Sequence, residues 1–166
     1  RLLLKPILNQ YQPDIIHETF FSKRKSGSKN VPTVITVYDM IHELYRDQFS
    51  NSDRTTQWKK KTFSRVDHII SISGSTKKDL VEFFDIPPEK ITVVHLACDI
   101  FDHPNLNSIH SNFKKPFLLY VGSREGYKNF NRLLEAISKS KKLINEFDVV
   151  AFGGGTLSLN ENKLIH

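Results

Sequence analysis

Two cations and a glycine beyond a strand-like segment form the most chemically informative cluster of the sequence. The apolar run Phe117 to Val121 is typical of a buried parallel strand, and Gly122 ends it. Arg124 and Lys128 add two positive charges within the next six residues. The fork of an arginine and the point charge of a lysine together suit a diphosphate, whereas the alternative is a pair of solvated loop cations.

A helix is predicted directly after this loop. Its apolar positions repeat at the spacing of one helix face and are Phe130, Leu133, Leu134 and Ile137. Asn129 is a favourable residue for the N-cap of that helix. In an open parallel sheet, ligands bind at the carboxyl ends of the strands, where the next helix presents free N–H groups. We therefore predict a diphosphate-binding loop that contains Gly122, Arg124, Lys128 and Asn129.

A glycine-rich turn follows the next predicted strand, Phe147 to Phe152. Gly153, Gly154 and Gly155 allow close approach of the backbone to a ligand, and the alternative is a flexible turn without a ligand. The sequence has no glycine fingerprint of the dinucleotide-binding or P-loop type. Cations and the helix end are therefore the groups predicted to hold a phosphate.

Polar side chains also end two predicted strands near the start of the chain. Tyr38 and Asp39 follow the strand 31–37, and Asp39 has the alternative role of capping the next turn. His17 and Glu18 stand at the carboxyl end of the preceding strand, where a site could lie. A lone histidine in such a place is more often structural, so the sequence assigns it no chemistry.

Two serines occupy a comparable position after the strand 67–73. Ser73 and Ser75 precede a helix whose N-terminus points to the same edge of the sheet, where they could meet an anionic ligand. An N-cap role for Ser75 or Thr76 explains these residues without any ligand. Both interpretations stay open at this point.

The elements that position these groups alternate between strands and helices, which is typical of α/β architecture with parallel sheets. The predicted strands are 15–17, 31–37, 67–73, 91–95, 117–121 and 147–152, and the main helices are 2–8, 53–65, 75–84 and 129–137. Asp53 or Ser52 is expected to cap the second helix, which turns Lys59, Lys60 and Lys61 toward solvent. Residues 1–99 and 116–166 form two predicted domains, because the linker 100–115 between them loses periodicity.

Composition indicates an ordinary globular chain. Of its 166 residues, 39% are hydrophobic and 25% are charged, and no apolar run approaches the roughly 20 residues that span a bilayer. The single cysteine, Cys98, excludes an intrachain disulfide and favours a reducing compartment. The chain starts without an initiator methionine or a signal-peptide pattern, which predicts a piece of a longer protein.

The net charge of +6 lies entirely in the first part of the chain. Residues 1–66 carry 12 Lys and Arg against 6 Asp and Glu, whereas residues 67–166 carry 12 against 12. This excess indicates either a solvated basic face or attraction to an anionic membrane surface or lipid phosphate. Nucleic acid is a weaker interpretation, because the aromatic residues do not alternate with the cations as a stacking platform requires.

Four ordered segments resemble the family 4 retaining glycosyltransferases, which have the two-domain GT-B fold with two Rossmann-like domains. The matching segments are Thr36 to Ile41, Val66 to Leu80, Ile86 to Asp99, and the unit from Phe117 through the Lys128-Asn129 pair to Ile137. The resemblance implies that residues 1–99 are the later half of an acceptor domain and that residues 116–166 begin a donor domain.

The resemblance also implies a function. It suggests transfer of a sugar from a nucleotide-sugar donor to a sugar or lipid-linked acceptor hydroxyl with retention, in the synthesis of cell-surface polysaccharide, lipopolysaccharide or glycolipid. Arg124 and Lys128 would bind the donor diphosphate, and Gly153 and Gly154 would line the donor crevice. Ser73 and Ser75 would lie on the acceptor side. The location would be cytoplasmic, with peripheral membrane association, and no metal or resident cofactor is expected.

One departure from the family concerns catalysis. The family commonly has His-Asp after the strand 31–37, where this chain has Tyr38 and Asp39. A phenol hydrogen-bonds a sugar but is a poor general base near neutral pH, so both residues are cleft candidates and the catalytic residues are unassigned. The chain by itself is expected to be inactive. A non-catalytic basic module that binds anions or a membrane surface is the alternative function, and a Rossmann-type oxidoreductase ranks behind it without its glycine fingerprint.

Overall fold

The computed structural model describes residues 4–26, 30–98, 113 and 115–165. The chain divides into two compact units, Arg1–Asp99 and Ile100–His166. Most of the predicted linker 100–115 lies outside the described residues. Each unit contains its own parallel sheet, so the predicted α/β fold class is confirmed.

The first unit is built on a four-stranded parallel sheet. Its strands are β1 (Ile16–Glu18), β2 (Thr33–Val37), β3 (His68–Ser71) and β4 (Ile91–Val93), and they lie side by side in chain order. Ile16 pairs with Thr33, Val34 with His68, and Ile69 with Ile91. All four carboxyl ends therefore lie at one edge of the sheet.

Four helices accompany this sheet, namely α1 (Leu4–Tyr11), α2 (Ile41–Leu44), α3 (Thr55–Phe63) and α4 (Gly74–Phe84). Short 3-10 turns lie at Arg46–Gln48 and Pro88–Lys90. The short helix α2 was not predicted. The N-cap of α3 is Arg54, not Asp53 or Ser52 as predicted, although Asp53 Oδ1 does accept a hydrogen bond from the N–H of Thr55 at 2.8 Å just before the helix.

One face of the first sheet forms the core. Alternate residues of β2 are fully buried, and helix residues such as Phe63 and Leu80 pack against them. The core cluster contains Ile35, Val37, Met40, Phe63, Val66, Ile69, Leu80, Ile86 and Ile91. Phe63 also meets the rings of Phe21 and Phe84 edge-on, at centroid distances of 5.7 and 5.0 Å. The period-2 pattern of β2 thus matches a strand with one core face.

Two further predictions about helices in this unit are wrong. Lys59 does not face solvent as Lys60 and Lys61 do. It is 1% exposed, and its ammonium group lies 2.7 Å from the carboxylate of Glu43. Helix α4 begins earlier than predicted, and Ser73 is its N-cap instead of Ser75 or Thr76. The Ser73 Oγ accepts a hydrogen bond from the N–H of Thr76 at 3.1 Å.

The described residues of the second unit form a two-stranded parallel sheet and three helices. Strand β5 (Phe117–Val121) pairs along its whole length with β6 (Asp148–Phe152). The helices are α5 (Phe130–Ser138), α6 (Lys141–Glu146) and α7 (Leu159–Ile165), of which α6 and α7 were not predicted. The predicted apolar face of α5 is confirmed, since Phe130, Leu134 and Ile137 are buried.

The strands of the second unit are not covered on both faces, contrary to prediction. Leu119 is 57% exposed and Val121 is 62% exposed, whereas the alternating residues Leu118 and Tyr120 are half-buried. Phe152 is exposed in the same way at the end of β6. Within residues 115–165, the helices shield one face of this sheet only, which explains the alternation.

Candidate functional site

A polar cavity of about 360 Å³ lies at the carboxyl ends of β5 and β6. The loop after β5 and the segment after β6 supply its walls. Its polar lining includes Arg124, Asn129, Asn131, Thr156, Ser158 and Glu161. This is the edge of the sheet at which parallel α/β folds bind ligands.

Arg124 is the best-anchored side chain of this cavity. It is 7% exposed, and its Nε donates to Glu161 Oε1 at 2.9 Å. Nη1 donates to the carbonyl of Gly153, and Nη2 donates to the carbonyl of Thr156 at 2.7 Å. The guanidinium carbon also lies 5.7 Å from the ring centroid of Phe130. These contacts occupy three of the five N–H donors of the side chain, so Arg124 is not a solvated loop cation.

Glu161 is a site residue that the sequence prediction missed. Its Oε2 accepts a hydrogen bond from the N–H of Ser158 at 2.6 Å, and its own N–H donates to Ser158 Oγ at 3.2 Å. This reciprocal pair is a capping box at the start of α7, and the Ser-x-x-Glu signal for it is present in the sequence at 158–161. The Ser158 N–H and the Arg124 guanidinium lower the pKa of Glu161, so its carboxyl is ionised at neutral pH.

The glycine turn approaches Arg124 closely. Gly153 and Gly154 have φ angles of 101° and 77°, in the left-handed region that favours glycine. A Cβ at Gly154 would lie 2.9 Å from Arg124 Nη1 and 3.2 Å from the Arg124 backbone nitrogen. The prediction that this turn belongs to a ligand crevice stays a prediction, but the turn does contact a residue of the cavity.

The other predicted diphosphate-binding residues have different positions. Lys128 is exposed at the end of a 3-10 turn, Gly126–Lys128, and its Nζ lies 5.4 Å from the ring centroid of Tyr127. Asn129 precedes α5 as predicted, but it adopts a left-handed φ of 61° and its side chain makes no capping hydrogen bond. Gly122 has a φ of 125°, and its N–H donates to the carbonyl of Phe152. The residues lining the cavity do not include Lys128.

The cleft candidates of the first unit lie at the carboxyl end of β2. Tyr38 and Asp39 are both exposed, and Asp39 Oδ1 accepts a hydrogen bond from the N–H of Ile41 at 3.1 Å. Asp39 therefore caps the turn, as the alternative interpretation proposed. Lys59 Nζ donates to the carbonyl of Asp39 at 3.1 Å and thereby connects this turn to α3.

Of the two predicted acceptor-side serines, Ser73 takes part in the contacts near this turn. Ser73 caps α4, and Thr76 Oγ1 donates to the carbonyl of Tyr38 at 3.3 Å. These two contacts connect the start of α4 with the end of β2. Ser75 is exposed. The capping role of Ser73 requires no ligand, and acceptor binding by either serine stays a prediction.

A second cavity, of about 470 Å³, lies beside β1 and includes His17, Glu18 and Ser26 in its lining. Arg65 binds Glu18 through two hydrogen bonds, from Nη1 to Oε1 at 3.0 Å and from Nη2 to Oε2 at 2.7 Å. Burial of Glu18 raises its pKa, but hydrogen bonds from Arg65 and Ser26 outweigh burial, and the net pKa is lowered. His17 Nε2 lies 2.8 Å from Thr36 Oγ1. These contacts account for both residues as structural groups.

Two further observations concern membrane spans and metal sites. Among the helices within the described residues, none has the length and apolar character needed to cross a bilayer. In the same part of the chain, no group of three or more His, Cys, Asp or Glu side chains is placed to hold a metal ion.

Comparison with known proteins bears on both units. A family model described as Glycosyltransferase Family 4 matches residues 1–100. No curated protein matches the chain. The chain is similar to a crystal structure of a glycosyltransferase from Rickettsia africae ESF-5, with 21% sequence identity and a TM-score of 0.53. That similarity covers 92% of this chain and 50% of the solved one, so the chain spans about half the length of that protein.

Proposed function

Because the chain belongs to Glycosyltransferase Family 4, we propose that it is part of a nucleotide-sugar-dependent enzyme that transfers a sugar to an acceptor hydroxyl with retention. The observation that carries this proposal is the polar cavity at the carboxyl ends of β5 and β6. It combines a buried arginine with a glycine turn, and both suit the diphosphate of a nucleotide sugar.

The proposed reaction exchanges two bonds at the anomeric carbon. The bond to the diphosphate oxygen breaks, a bond to the acceptor oxygen forms, and the acceptor hydroxyl gives its proton to the departing nucleoside diphosphate or to solvent. Negative charge grows on the departing diphosphate, so stabilising that charge is the main contribution expected of the protein. We assign this role to the two N–H donors of Arg124 that its internal contacts leave free, and to Lys128, which lies on the same loop outside the lining of the cavity. The proposal includes no metal and no resident cofactor.

The first unit would receive the acceptor. Tyr38 and Asp39 end β2, and Ser73 lies beside them at the start of α4, which supports their assignment to one acceptor surface. A sugar or lipid-linked acceptor in the synthesis of cell-surface polysaccharide, lipopolysaccharide or glycolipid fits the proposal. With such an acceptor, the protein would work in the cytoplasm, peripheral to a membrane. The excess of six positive charges in residues 1–66 supports contact with an anionic surface.

That same charge excess supports a second candidate, a non-catalytic module that binds anions or a membrane surface. Two ion pairs do not change this excess, because each removes one positive and one negative charge from the surface. The pairs are Lys59 with Glu43 and Arg65 with Glu18. The two candidates differ in one measurable property. A transferase recognises a nucleoside diphosphate at the second unit, whereas the basic module does not require one.

Isothermal titration with a panel of nucleoside diphosphates and nucleotide sugars tests the proposal. The wild-type chain is expected to bind at least one nucleoside diphosphate of the panel. Lys128→Ala is expected to weaken that binding by about tenfold, because a charge-assisted contact is lost. Lys142→Ala is the matched control, because Lys142 is an exposed lysine of α6 in the same unit.

Two results would count against the proposal. The wild-type chain binding no member of the panel would remove the donor site and favour the basic module. Equal affinities of Lys128→Ala and Lys142→Ala would leave Lys128 as a solvated charge. The 166-residue chain is expected to bind donor without turnover, and robust transfer to any acceptor would show that the catalytic residues lie within it.

A further inference from the structure

Glu161 places a carboxylate in the lining of a cavity that is proposed to bind an anion. The side chain is 6% exposed and lines the same cavity as Arg124. An uncompensated negative charge at this place would repel a diphosphate. The presence of Glu161 therefore calls for a role that outweighs this repulsion.

Both carboxylate oxygens of Glu161 are engaged by donors of the second unit. Oε1 accepts from Arg124 Nε at 2.9 Å, and Oε2 accepts from the Ser158 N–H at 2.6 Å. The first contact neutralises the charge, and the second fixes the carboxylate to the start of α7. Both oxygens of the carboxylate are thus held by donors, and the carboxylate is oriented toward the guanidinium.

The guanidinium in turn holds the glycine turn. With Nε bound to Glu161, the two Nη groups donate to the carbonyls of Gly153 and Thr156. A side chain at Gly154 would approach Arg124 to 2.9 Å, so the turn fits closely around the guanidinium. The chain of contacts runs from α7 through Glu161 and Arg124 to the turn that follows β6.

We propose that Glu161 is a positioning residue of the donor site, which acts through Arg124 to hold the turn Gly153 to Thr156 in its ligand-binding conformation. The identity of the ligand as a nucleoside diphosphate rests on the proposed function, whereas the hold on the turn does not. Glu161 itself makes no contact with the ligand. Glu161 is therefore proposed to strengthen ligand binding, although its own negative charge repels an anion.

The sign of a charge-removing substitution tests this role. Glu161→Gln keeps the size of the side chain but has one acceptor oxygen for two donors, so Arg124 or Ser158 loses its partner. It is expected to weaken nucleoside-diphosphate binding by about tenfold. Glu125→Gln is the matched control, because Glu125 is an exposed acid that lines the same cavity. Removing that charge is expected to strengthen the binding of an anion slightly.

A double-mutant cycle and hydrogen exchange separate positioning from other effects. If Glu161 acts through Arg124, then the double variant Arg124→Ala/Glu161→Ala binds at least as tightly as Arg124→Ala, because without the guanidinium the Glu161 carboxylate only repels the anion. Without ligand, amides of residues 153–156 are expected to exchange faster in Glu161→Gln than in Glu125→Gln. Additive effects in the cycle would mean that Glu161 acts independently of Arg124, and the proposal would be wrong.

Other outcomes overturn the proposal or the function separately. Unchanged or stronger diphosphate binding by Glu161→Gln would show that Glu161 is only a negative charge near the cavity. Unchanged exchange of residues 153–156 in that variant would show that Glu161 does not hold the turn. A wild-type protein that binds no nucleoside diphosphate would refute the proposed function, while the exchange measurement would still decide whether Glu161 holds the turn.

Discussion

Three consecutive lysines on α3 occupy two different environments. Lys60 and Lys61 are exposed, whereas Lys59 is buried with its ammonium group bound to Glu43 and to the carbonyl of Asp39. The Lys59 Nζ also lies 5.4 Å from the ring centroid of Phe21. Lys59 therefore joins α3 to α2 and to the turn at the end of β2. A run of identical residues gives no sequence signal for this difference.

The difference predicts unequal effects on stability. Lys59→Ala leaves the Glu43 carboxylate buried without its cation, so the free energy of unfolding is expected to fall by about 3–5 kcal/mol. Lys60→Ala, the control on the next residue, is expected to change it by less than about 0.5 kcal/mol. Trp58 is the single tryptophan of the chain, so its fluorescence during urea unfolding reports on the first unit. Equal effects of the two substitutions would contradict the buried position of Lys59.

The pair of Glu18 and Arg65 predicts a dependence of stability on pH. Because the pKa of Glu18 is lowered in the folded state from the ordinary value of 4.5, the pair stabilises the first unit fully above that pH. This stabilisation is lost as the pH falls through the folded-state pKa. The difference in urea midpoint between wild type and Glu18→Gln should therefore shrink as the pH falls from neutral to below the ordinary pKa of 4.5.

The control for this pH dependence is Glu82→Gln. Glu82 is an exposed residue of α4 that lies 3.6 Å from Lys78. An exposed pair contributes little, so this variant should follow the wild type at every pH. A difference between wild type and Glu18→Gln that stays constant with pH would show that Arg65 does not stabilise the charged form of Glu18.

At the scale of elements, the position of a helix cap decides where α4 begins. Ser73→Ala removes the acceptor for the N–H of Thr76 and is expected to destabilise the first unit by about 1 kcal/mol. Ser75→Ala, two residues later, lies inside the helix and should be neutral or slightly stabilising, since alanine is the better helix former. Trp58 fluorescence in urea compares the two variants. A larger loss for Ser75→Ala would place the cap where the sequence prediction had it.

The sequence predicted elements with clear limits better than elements with a weak pattern. Strand β5 was predicted at 117–121 and observed at Phe117–Val121, because a continuous apolar run between Pro116 and Gly122 has clear limits. Helix α6 has only six residues, and too few apolar positions define a face in so short a segment. Helix α7 is likewise short, although the Ser-x-x-Glu signal at 158–161 marks its start. Short elements of this kind are fixed by tertiary contacts more than by their own pattern.

The sequence predicted which loops line the candidate site but not which side chains contact each other there. The loop after β5 and the glycine turn follow from the rule for parallel sheets, which places ligands at strand ends. The contact of Arg124 with Glu161 joins residues 37 positions apart, and no local pattern encodes it. For the same reason, the sequence could not show that Arg124 is buried and Lys128 exposed.

At the scale of the whole molecule, the uneven charge predicts a surface preference. Each lysine near an anionic membrane contributes about 1 kcal/mol, and salt screens the attraction. The wild-type chain is therefore expected to sediment with anionic vesicles more than with zwitterionic ones, and less at high salt. Charge reversal at Lys60 and Lys61 should weaken this binding by at least about tenfold.

Charge reversal at Lys141 and Lys142 provides the control, since both are exposed lysines of the second unit and the change in net charge is identical. The control variant should retain most of the binding. Equal losses in both variants would show that net charge alone, and not the first part of the chain, governs attraction to the vesicle.

The parallel pairing of every strand in both sheets also constrains how the chain reaches its structure. Ile16 pairs with Thr33 and Val34 with His68, so the partners lie 17 and 34 positions apart, and no two neighbouring strands within the described ranges are joined as a hairpin. Each pairing therefore requires closure of a long loop before its hydrogen bonds form, and such topologies fold slowly. During synthesis, β1 cannot pair with β2 until residues 33–37 have been added, and β2 cannot pair with β3 until residue 71 has been added. The apolar strand residues thus stay uncovered while the intervening helices are made, and this interval is when the chain is most exposed to aggregation.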